Sequence, residues 1–404
     1  MITTDLVLNI GLLLFLAIIG SEILKRYNFP VVLFYVVLGM IMSPSVLNLV
    51  NPTILQHDYL ITQITLSLIA FTIGDTFLLK NLKHVGTSGS VLSILQAVFT
   101  TGIVIAGLSV FCFLFTSQAI PLASILLLGA IAAATDPASS FMVIRQFRAK
   151  GPFTSTLLAA VSIDDAVGII LFDLLVSFSI ILTGQGSNSI ASSIMIPLIE
   201  IVISVLVGCA FGLILAFIIQ RTKKNKDSFM IITLSLVLLA SGVCHCFHLS
   251  PLLCCMAMGG VFSNFSNNAT QTFSSLDSFT APVLLLFFIV SGASLDIKVL
   301  TSVGVIGIVV IVLRAIGKVY GTTLAGFLTK SPPKIAKYLG YAMLPQAGVA
   351  IGFALTVKKM FPQFDFIVTI VLANVVVSQV FGPLLAKRAL FKTGEANISK
   401  DMKE

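Results

Sequence analysis

Two adjacent carboxylates stand in the run AAVSIDDAVGII, residues 159–170, with no other charge around them. Neighbouring positions on a helix are rotated by about 100°, so Asp164 and Asp165 cannot both face one spot. One can line a cavity while the other reaches a partner on a neighbouring helix. A third carboxylate, Asp136, lies in TDPASS (135–140), and two cations, Arg314 and Lys318, lie in RAIGKVYG (314–321). Their spacing of four residues puts both cations on one helix face. A partly buried carboxylate beside other charges holds either a proton or a hard cation such as Na⁺ or K⁺, and each displaces the other. That competition is exchange chemistry and needs no nucleophile. Asp165 is the expected carrier, and Asp164 either pairs with Arg314 or adds ion-binding charge. Thr135 and Ser162 are candidate oxygen ligands, although such hydroxyls in membrane helices commonly bond their own backbone. Asp136, directly before Pro137, also fits a helix cap. Asp173, two turns beyond Asp165, either lines a path to the surface or snorkels, and Glu200 is read the same way.

These groups sit in a chain built for lipid. Of 404 residues, 57% are hydrophobic and 10% charged, with a mean hydropathy of +1.09. A soluble fold of this length cannot hide so much apolar surface. The apolar runs are long and unbroken rather than alternating, which excludes a transmembrane barrel. The expected class is an all-α polytopic membrane protein. At about 20 residues per crossing, thirteen spans are expected, near 5–24, 29–49, 59–79, 89–115, 119–144, 154–180, 190–220, 228–244, 250–264, 277–295, 300–328, 335–357 and 364–386. The first run lacks a basic start and a cleavage site and reads as a retained helix. The net charge of +8 follows from loop lysines and arginines, not from a nucleic-acid surface. Nineteen of them fall after odd-numbered spans or in the tail 387–404, against three after even-numbered spans. This bias puts the N-terminus outside and the C-terminus in the cytoplasm of a cell (inner) membrane. CHCFHLSPLLCC (244–255) resembles a Cys/His metal cluster, but its spacing fits no common zinc pattern and buried free thiols are the simpler reading.

Placing the charges at mid-membrane requires particular elements. Asp164 and Asp165 fall about 15 Å into the sixth span, at the centre of a core about 30 Å thick. Asp136 and Arg314 fall near the middle of the fifth and eleventh. Unpaired charges at that depth cost several kcal/mol each, so they must meet one another around water or an ion. FTIGDTFLLKNLKHVG (71–86) and IVSGASLDIKVLTSVG (289–304) echo one another seven crossings apart. An odd separation reverses direction, the sign of an inverted-topology repeat. Spans five and twelve are then partners. Each carries a breaker, Pro137 in TDPASS and Pro345, Gln346 and Gly348 in MLPQAGVAIG (343–352). Paired discontinuous helices are the best sequence pointer to a midplane ion site.

At this point the motifs resemble the monovalent cation:proton antiporter superfamily, the sodium/proton exchangers, over nearly the whole chain. ATDPAS (134–139) resembles the family's Thr-Asp-Pro break, and SIDDAVGII (162–170) the Asp-Asp helix of its electrogenic branch. FFIVSGASLD (287–296), SPLLCCMAMGGVFSN (250–264) and FPVVLFYVVLGMIMSP (29–44) are similar to other recurrent segments. The resemblance implies a sodium/proton antiporter fold of thirteen helices working by elevator-like alternating access. It implies Asp165 as essential carboxylate, Asp164 as its branch-defining neighbour, Thr135 and Asp136 at the unwound crossing, and Arg314 as the cation offsetting the helix-break dipoles. By the same resemblance, 89–180 and 300–386 form the ion-translocating core, 1–79 and 190–295 the scaffold of a homodimer, and 387–404 a short cytoplasmic tail. Three positions depart from the pattern. Arg314 stands where the electrogenic branch has Lys, and arginine does not readily release a proton. PQAG (345–348) lacks the two charges of the family's Pro-Arg-Gly-Glu. Thr76 replaces a common Glu.

The expected function is exchange of Na⁺ (or Li⁺) for H⁺, with no cofactor, in a lipid bilayer. K⁺/H⁺ exchange on the same fold is the alternative, because oxygen ligands alone do not fix the ion. An intramembrane aspartyl protease is a remote alternative and would need Asp136 and Asp165 to share a water. A channel reading lacks a filter-like loop.

Overall fold

A computed structural model describes residues 6–27, 29–56, 58–75, 79–115, 120–184, 190–222, 225–247, 249–295 and 303–396. Among the described residues, sixteen α-helices follow one another: α1 Leu6–Arg26, α2 Val31–Met42, α3 Pro52–Gln56, α4 Asp58–Gly74, α5 Leu79–Phe115, α6 Leu122–Ala132, α7 Pro137–Gln146, α8 Pro152–Thr183, α9 Ile190–Arg221, α10 Lys226–Cys246, α11 Pro251–Phe265, α12 Ala269–Ala293, α13 Gly304–Leu328, α14 Pro333–Ala342, α15 Gly348–Met360 and α16 Phe366–Thr393. Among the described residues, nine helical segments are long and apolar enough to cross a membrane. Three shorter apolar helices lie at 31–42, 60–74 and 251–265.

The chain divides into two compact units. One comprises Met1–Ile23, Phe34–Gly86 and Leu198–Ser294; the other comprises Leu24–Leu33, Thr87–Pro197 and Leu295–Glu404. In the first, α4, α10, α11 and α12 pack on a buried aromatic centre, with the Phe71 ring 5.1 Å from that of Phe273 and 6.0 Å from that of Phe262. Cys244, Cys254 and Cys255 are buried free thiols in that packing. Among the described residues, no group of three His, Cys, Asp or Glu is placed to hold a metal. His248 of the suspected cluster and Thr76 lie outside the described residues, as does much of the echo at 71–86 and 289–304.

The second unit holds every charged residue singled out near mid-membrane. Its local boundaries follow from the sequence. Pro137 and Pro152 start α7 and α8 at the first helical position, where a missing N–H costs nothing. Gly184 ends α8 in a left-handed conformation, φ 70°. The two expected breaks are present: α6 stops at Ala132 and α7 starts at Pro137, while α14 stops at Ala342 and α15 starts at Gly348. Several span limits differ. The fourth helix run begins at Leu79 rather than 89, and the third ends at Gly74 rather than 79. The last helix runs seven residues beyond 386, to Thr393, so the tail expected from 387 is helical at its start. Basic residues suit a helix C-terminus, and Lys387 lies over the rings of Phe147 and Phe391, 5.5 and 5.7 Å from their centroids.

Candidate ion-binding site

The two interrupted segments meet at their breaks. The Asp136 amide donates to Pro345 O at 2.9 Å, and the Gln346 side chain donates to Ile131 O at 2.9 Å. Such contact needs a close neighbour on α16. A Cβ added at Gly382 would lie 2.8 Å from Pro345 Cγ and 2.9 Å from its nitrogen, so glycine lets α16 press against the second break.

Breaking a helix leaves carbonyls at one stump and amides at the other without intrahelical partners. In hydrocarbon each must be satisfied by protein. The carbonyls of the first break are taken by the two cations of α13. Arg314 donates from Nε to Ala132 O at 3.2 Å and from Nη2 to Ala134 O at 2.9 Å; its Nη1 reaches Leu344 O of the second break at 2.9 Å and Ser378 Oγ at 3.3 Å. Lys318 donates to Ala133 O, to Thr135 Oγ1 at 2.7 Å and to Asp164 Oδ2 at 3.0 Å. Its three protons are thereby all used. Positive charge at the C-terminal ends of half-helices also opposes their negative dipole ends. On the other side of the first break, Asp136 caps α7: its Oδ1 accepts from the Ala138 amide at 3.0 Å. Its Oδ2 accepts from Ser139 Oγ and, at 2.9 Å, from Gln379 Nε2.

The adjacent carboxylates have opposite fates. Asp164 is fully buried and satisfied from three directions, by Gln96 Nε2 on one oxygen and by Thr135 Oγ1 and Lys318 Nζ on the other. Asp165 is 4% exposed, and neither of its oxygens meets a hydrogen-bond partner among the described residues. The helix geometry explains the split. The rotation of about 100° per residue sends Asp164 to α13 and α5 and leaves Asp165 aimed elsewhere.

The placement of the expected residues is mixed. Asp164, Thr135, Lys318 and Arg314 are brought together with both breaks, and Asp136 lies at the first. The suggested Asp164–Arg314 pair is replaced by Asp164–Lys318, because the guanidinium fork is occupied by carbonyls of two chain ends while the ammonium, one turn further along α13, reaches the carboxylate. Ser162 does not join the cluster; its hydroxyl donates to Leu158 O of its own helix at 2.7 Å. Pro137 opens α7, Pro345 and Gln346 lie in the second break, and Gly348 opens α15. Asp173 is half-buried on α8, about 12 Å along the axis from Asp165 at 1.5 Å per residue.

Sequence reasoning missed a set of neutral side chains. Gln96 is fully buried on α5. Asn374, Ser378 and Gln379 project from α16: Asn374 donates to Gln346 Oε1, and Gln379 also donates to Gln346 O at 3.2 Å. The spacing of four between Asn374 and Ser378 in the apolar run VLANVVVSQV puts two polar groups on one helix face, with Gln379 beside Ser378, a signal that was available. Gln346, in the PQAG that lacks the family's charges, bridges the breaks by hydrogen bonds instead. Replacing Gln379 with Leu is expected to leave buried acceptors unmet, at about 1–3 kcal/mol. A lowered unfolding midpoint in detergent checks this; an unchanged midpoint would show that the network contributes little.

Comparison with known proteins gives a consistent result. A family model described as "Sodium/hydrogen exchanger, transmembrane" matches residues 11–392. A Na(+)/H(+) antiporter of Enterococcus hirae is 24% identical over 355 residues, 84% of this chain and 86% of that protein. The K(+)/H(+) antiporter subunit KhtU of Bacillus subtilis (strain 168) is 21% identical over 417 residues, 95% of this chain and 93% of that protein. Among solved structures, the sodium proton antiporter MjNhaP1 of Methanocaldococcus jannaschii at pH 8 superposes with a TM-score of 0.67 at 20% identity, covering 97% of this chain and 99% of its own. An electron-microscopy structure of MjNhaP1 superposes with a TM-score of 0.74 at 19% identity, covering 96% and 97%.

Proposed function

The chain belongs to the sodium/hydrogen exchanger family, and from that premise we propose that it exchanges Na⁺ or Li⁺ for H⁺ at Asp165. It is a multi-pass membrane protein. One observation carries the reading: a carboxylate buried among helices, neither of whose oxygens meets a hydrogen-bond partner among the described residues. An ionised group in that position costs several kcal/mol unless something compensates it, so it is stable there with a proton or a cation bound. Asp164 next to it is already satisfied and needs neither. The two states of Asp165 exclude each other, and a site that can empty only by accepting the other ion, while opening alternately to the two sides, is an exchanger.

The remaining groups support that step. Arg314 and Lys318 hold the unwound backbone of both breaks, so carbonyls and amides stand at mid-membrane without collapse. Lys318 adds a second titratable group, since lysine, unlike arginine, can release a proton when buried. Release of that proton during the cycle would make exchange depend on the membrane potential. The ion-translocating part is assigned to 89–180 and 300–386, and the scaffold and homodimer contact to 1–79 and 190–295. The charge bias of the loops places the N-terminus outside and the C-terminus in the cytoplasm, in the cell's inner membrane. A protease would need Asp136 and Asp165 to share a water; Asp136 is instead committed to capping α7 and to Ser139 and Gln379.

Purified protein in vesicles with an internal pH dye tests the reading. External Na⁺ or Li⁺ is expected to discharge an imposed pH gradient, with the rate depending on a clamped membrane potential if Lys318 takes part. Proton movement driven by K⁺ alone would transfer the assignment to K⁺/H⁺ exchange, the activity named for KhtU. No response to any of the three cations would end the transport reading.

A further inference from the structure

α8, the helix that carries both central carboxylates, has no cap of its own. Its N-cap is Gly151, without a side chain, and its first turn holds no acidic residue. Pro152 has no N–H, and the Ser155 amide already donates to Gly151 O at 3.0 Å. Two free amides therefore remain in the first turn, those of Phe153 and Thr154. Both are taken by one residue some 240 positions away. Glu395 accepts from the Phe153 amide on Oε1 at 2.7 Å and from the Thr154 amide on Oε2 at 2.7 Å, and its Oε2 also accepts from Thr154 Oγ1 at 2.8 Å. By contrast α7, α10 and α11 are capped by their own preceding Asp136, Asn225 and Ser250.

The carboxylate is held in place rather than left to find the helix. Gly394 ends α16 in a left-handed turn, φ 83°, and the Glu395 amide donates back to Leu390 O at 3.2 Å. Glu395 O accepts from the Lys150 amide at 3.2 Å. Phe391 sets its ring edge-on against Phe147, 5.3 Å between centroids, and Lys334 at the start of α14 donates to Thr393 O at 3.3 Å. Gly151 makes the room: it has φ 153°, and a Cβ there would lie 2.4 Å from Glu395 Cδ.

The latch joins two helices that both reach the site. α16 holds the breaks through Asn374, Ser378 and Gln379, and α8 carries Asp164 and Asp165. We propose that Glu395 is a positioning residue for cation exchange, fixing the axial register of α8 against α16 and with it the positions of Asp164 and Asp165. This rests on the reading of Asp165 as ion carrier. A negative charge at the N-terminus of α8 also complements its dipole, and Glu395 supplies it where the local sequence does not.

Full-length Glu395→Ala and Glu395→Gln proteins test the proposal by two independent readouts. The first is amide hydrogen exchange over residues 152–160, which requires no transport. It is expected to accelerate by about threefold to tenfold for Ala, the equivalent of losing one cap, and less for Gln, which keeps one acceptor. The second is cation-driven proton movement. The half-maximal cation concentration is expected to rise severalfold for Ala and to recover partly in Gln, with the purified variants remaining monodisperse. Unchanged amide exchange at 152–160 overturns the cap. Faster amide exchange with unaltered half-maximal concentration and rate overturns the positioning role and leaves a merely structural contact. If the parent protein moves no protons with any cation, the carrier reading fails, and the proposed role falls with it, while the amide data still report the cap itself.

Discussion

Asp165→Asn is expected to abolish cation-driven proton movement, by a factor of at least about one hundred, while the protein folds normally. The neutral amide has nearly the same shape but can neither give up a proton at physiological pH nor hold a cation electrostatically. Because the parent carboxylate has no hydrogen-bond partner among the described residues, the substitution removes no bond. It replaces a group that is costly when ionised with one that never ionises. The unfolding midpoint in detergent should therefore match or exceed that of the parent. This combination of lost transport and kept stability separates a carrier from a structural carboxylate. Exchange at the normal rate by the folded variant would remove Asp165 from the mechanism.

Asp164 should behave in the opposite way, and its partner shows it best. Lys318→Met removes the ammonium that meets Asp164 Oδ2, Thr135 Oγ1 and Ala133 O. It leaves a fully buried carboxylate without its counter-charge, at about 3–5 kcal/mol. Transport should fall with it, because the carbonyls of the first break lose a donor. The double variant Asp164→Asn with Lys318→Met is expected to regain a large part of the stability, since no lone charge remains buried. The difference is a coupling energy of the kind measured by double-mutant cycles. Additive losses in the double variant would mean that the two side chains do not depend on each other, contrary to their 3.0 Å separation. The same cycle between Asp164 and Arg314 should give a smaller coupling, as Arg314 is committed to Ala132, Ala134, Leu344 and Ser378.

The contrast between these two expectations bears on the exchange step. Two neighbouring acids could have shared one ion. In the structure one is fixed by Gln96, Thr135 and Lys318, and the other meets no hydrogen-bond partner among the described residues. In the proposed exchange, binding falls to Asp165, and Asp164 sets the field it works in. The latch at Glu395 acts on both at once, because any change in the register of α8 moves the pair together.

Sequence alone determined the class and the two breaks, and it pointed to the charged residues that the structure gathers around the first break. Long apolar runs leave no soluble alternative. Proline set among polar residues, as in TDPASS and MLPQAG, pointed to interrupted helices, whereas α12 continues through Pro282, and charges at mid-membrane cost too much to be idle. The family resemblance rested on the same residues. What the chain order could not decide was who meets whom. Arg314 and Lys318 share a helix face, and either could have been assigned to Asp164. Only the crossing of α13 over the first break shows the guanidinium spread across carbonyls of two chain ends and the ammonium on the carboxylate. Gln96, Asn374 and Gln379 escaped attention because a neutral amide in an apolar run carries no charge penalty that demands an explanation. Glu395 was hidden for another reason: it lies in what reads as a polar tail, some 240 residues from the helix it caps. Hydropathy and local spacing are set by neighbours along the chain. Hydrogen-bond partners in a bundle are set by which helices lie side by side, and that is decided by packing over the whole unit.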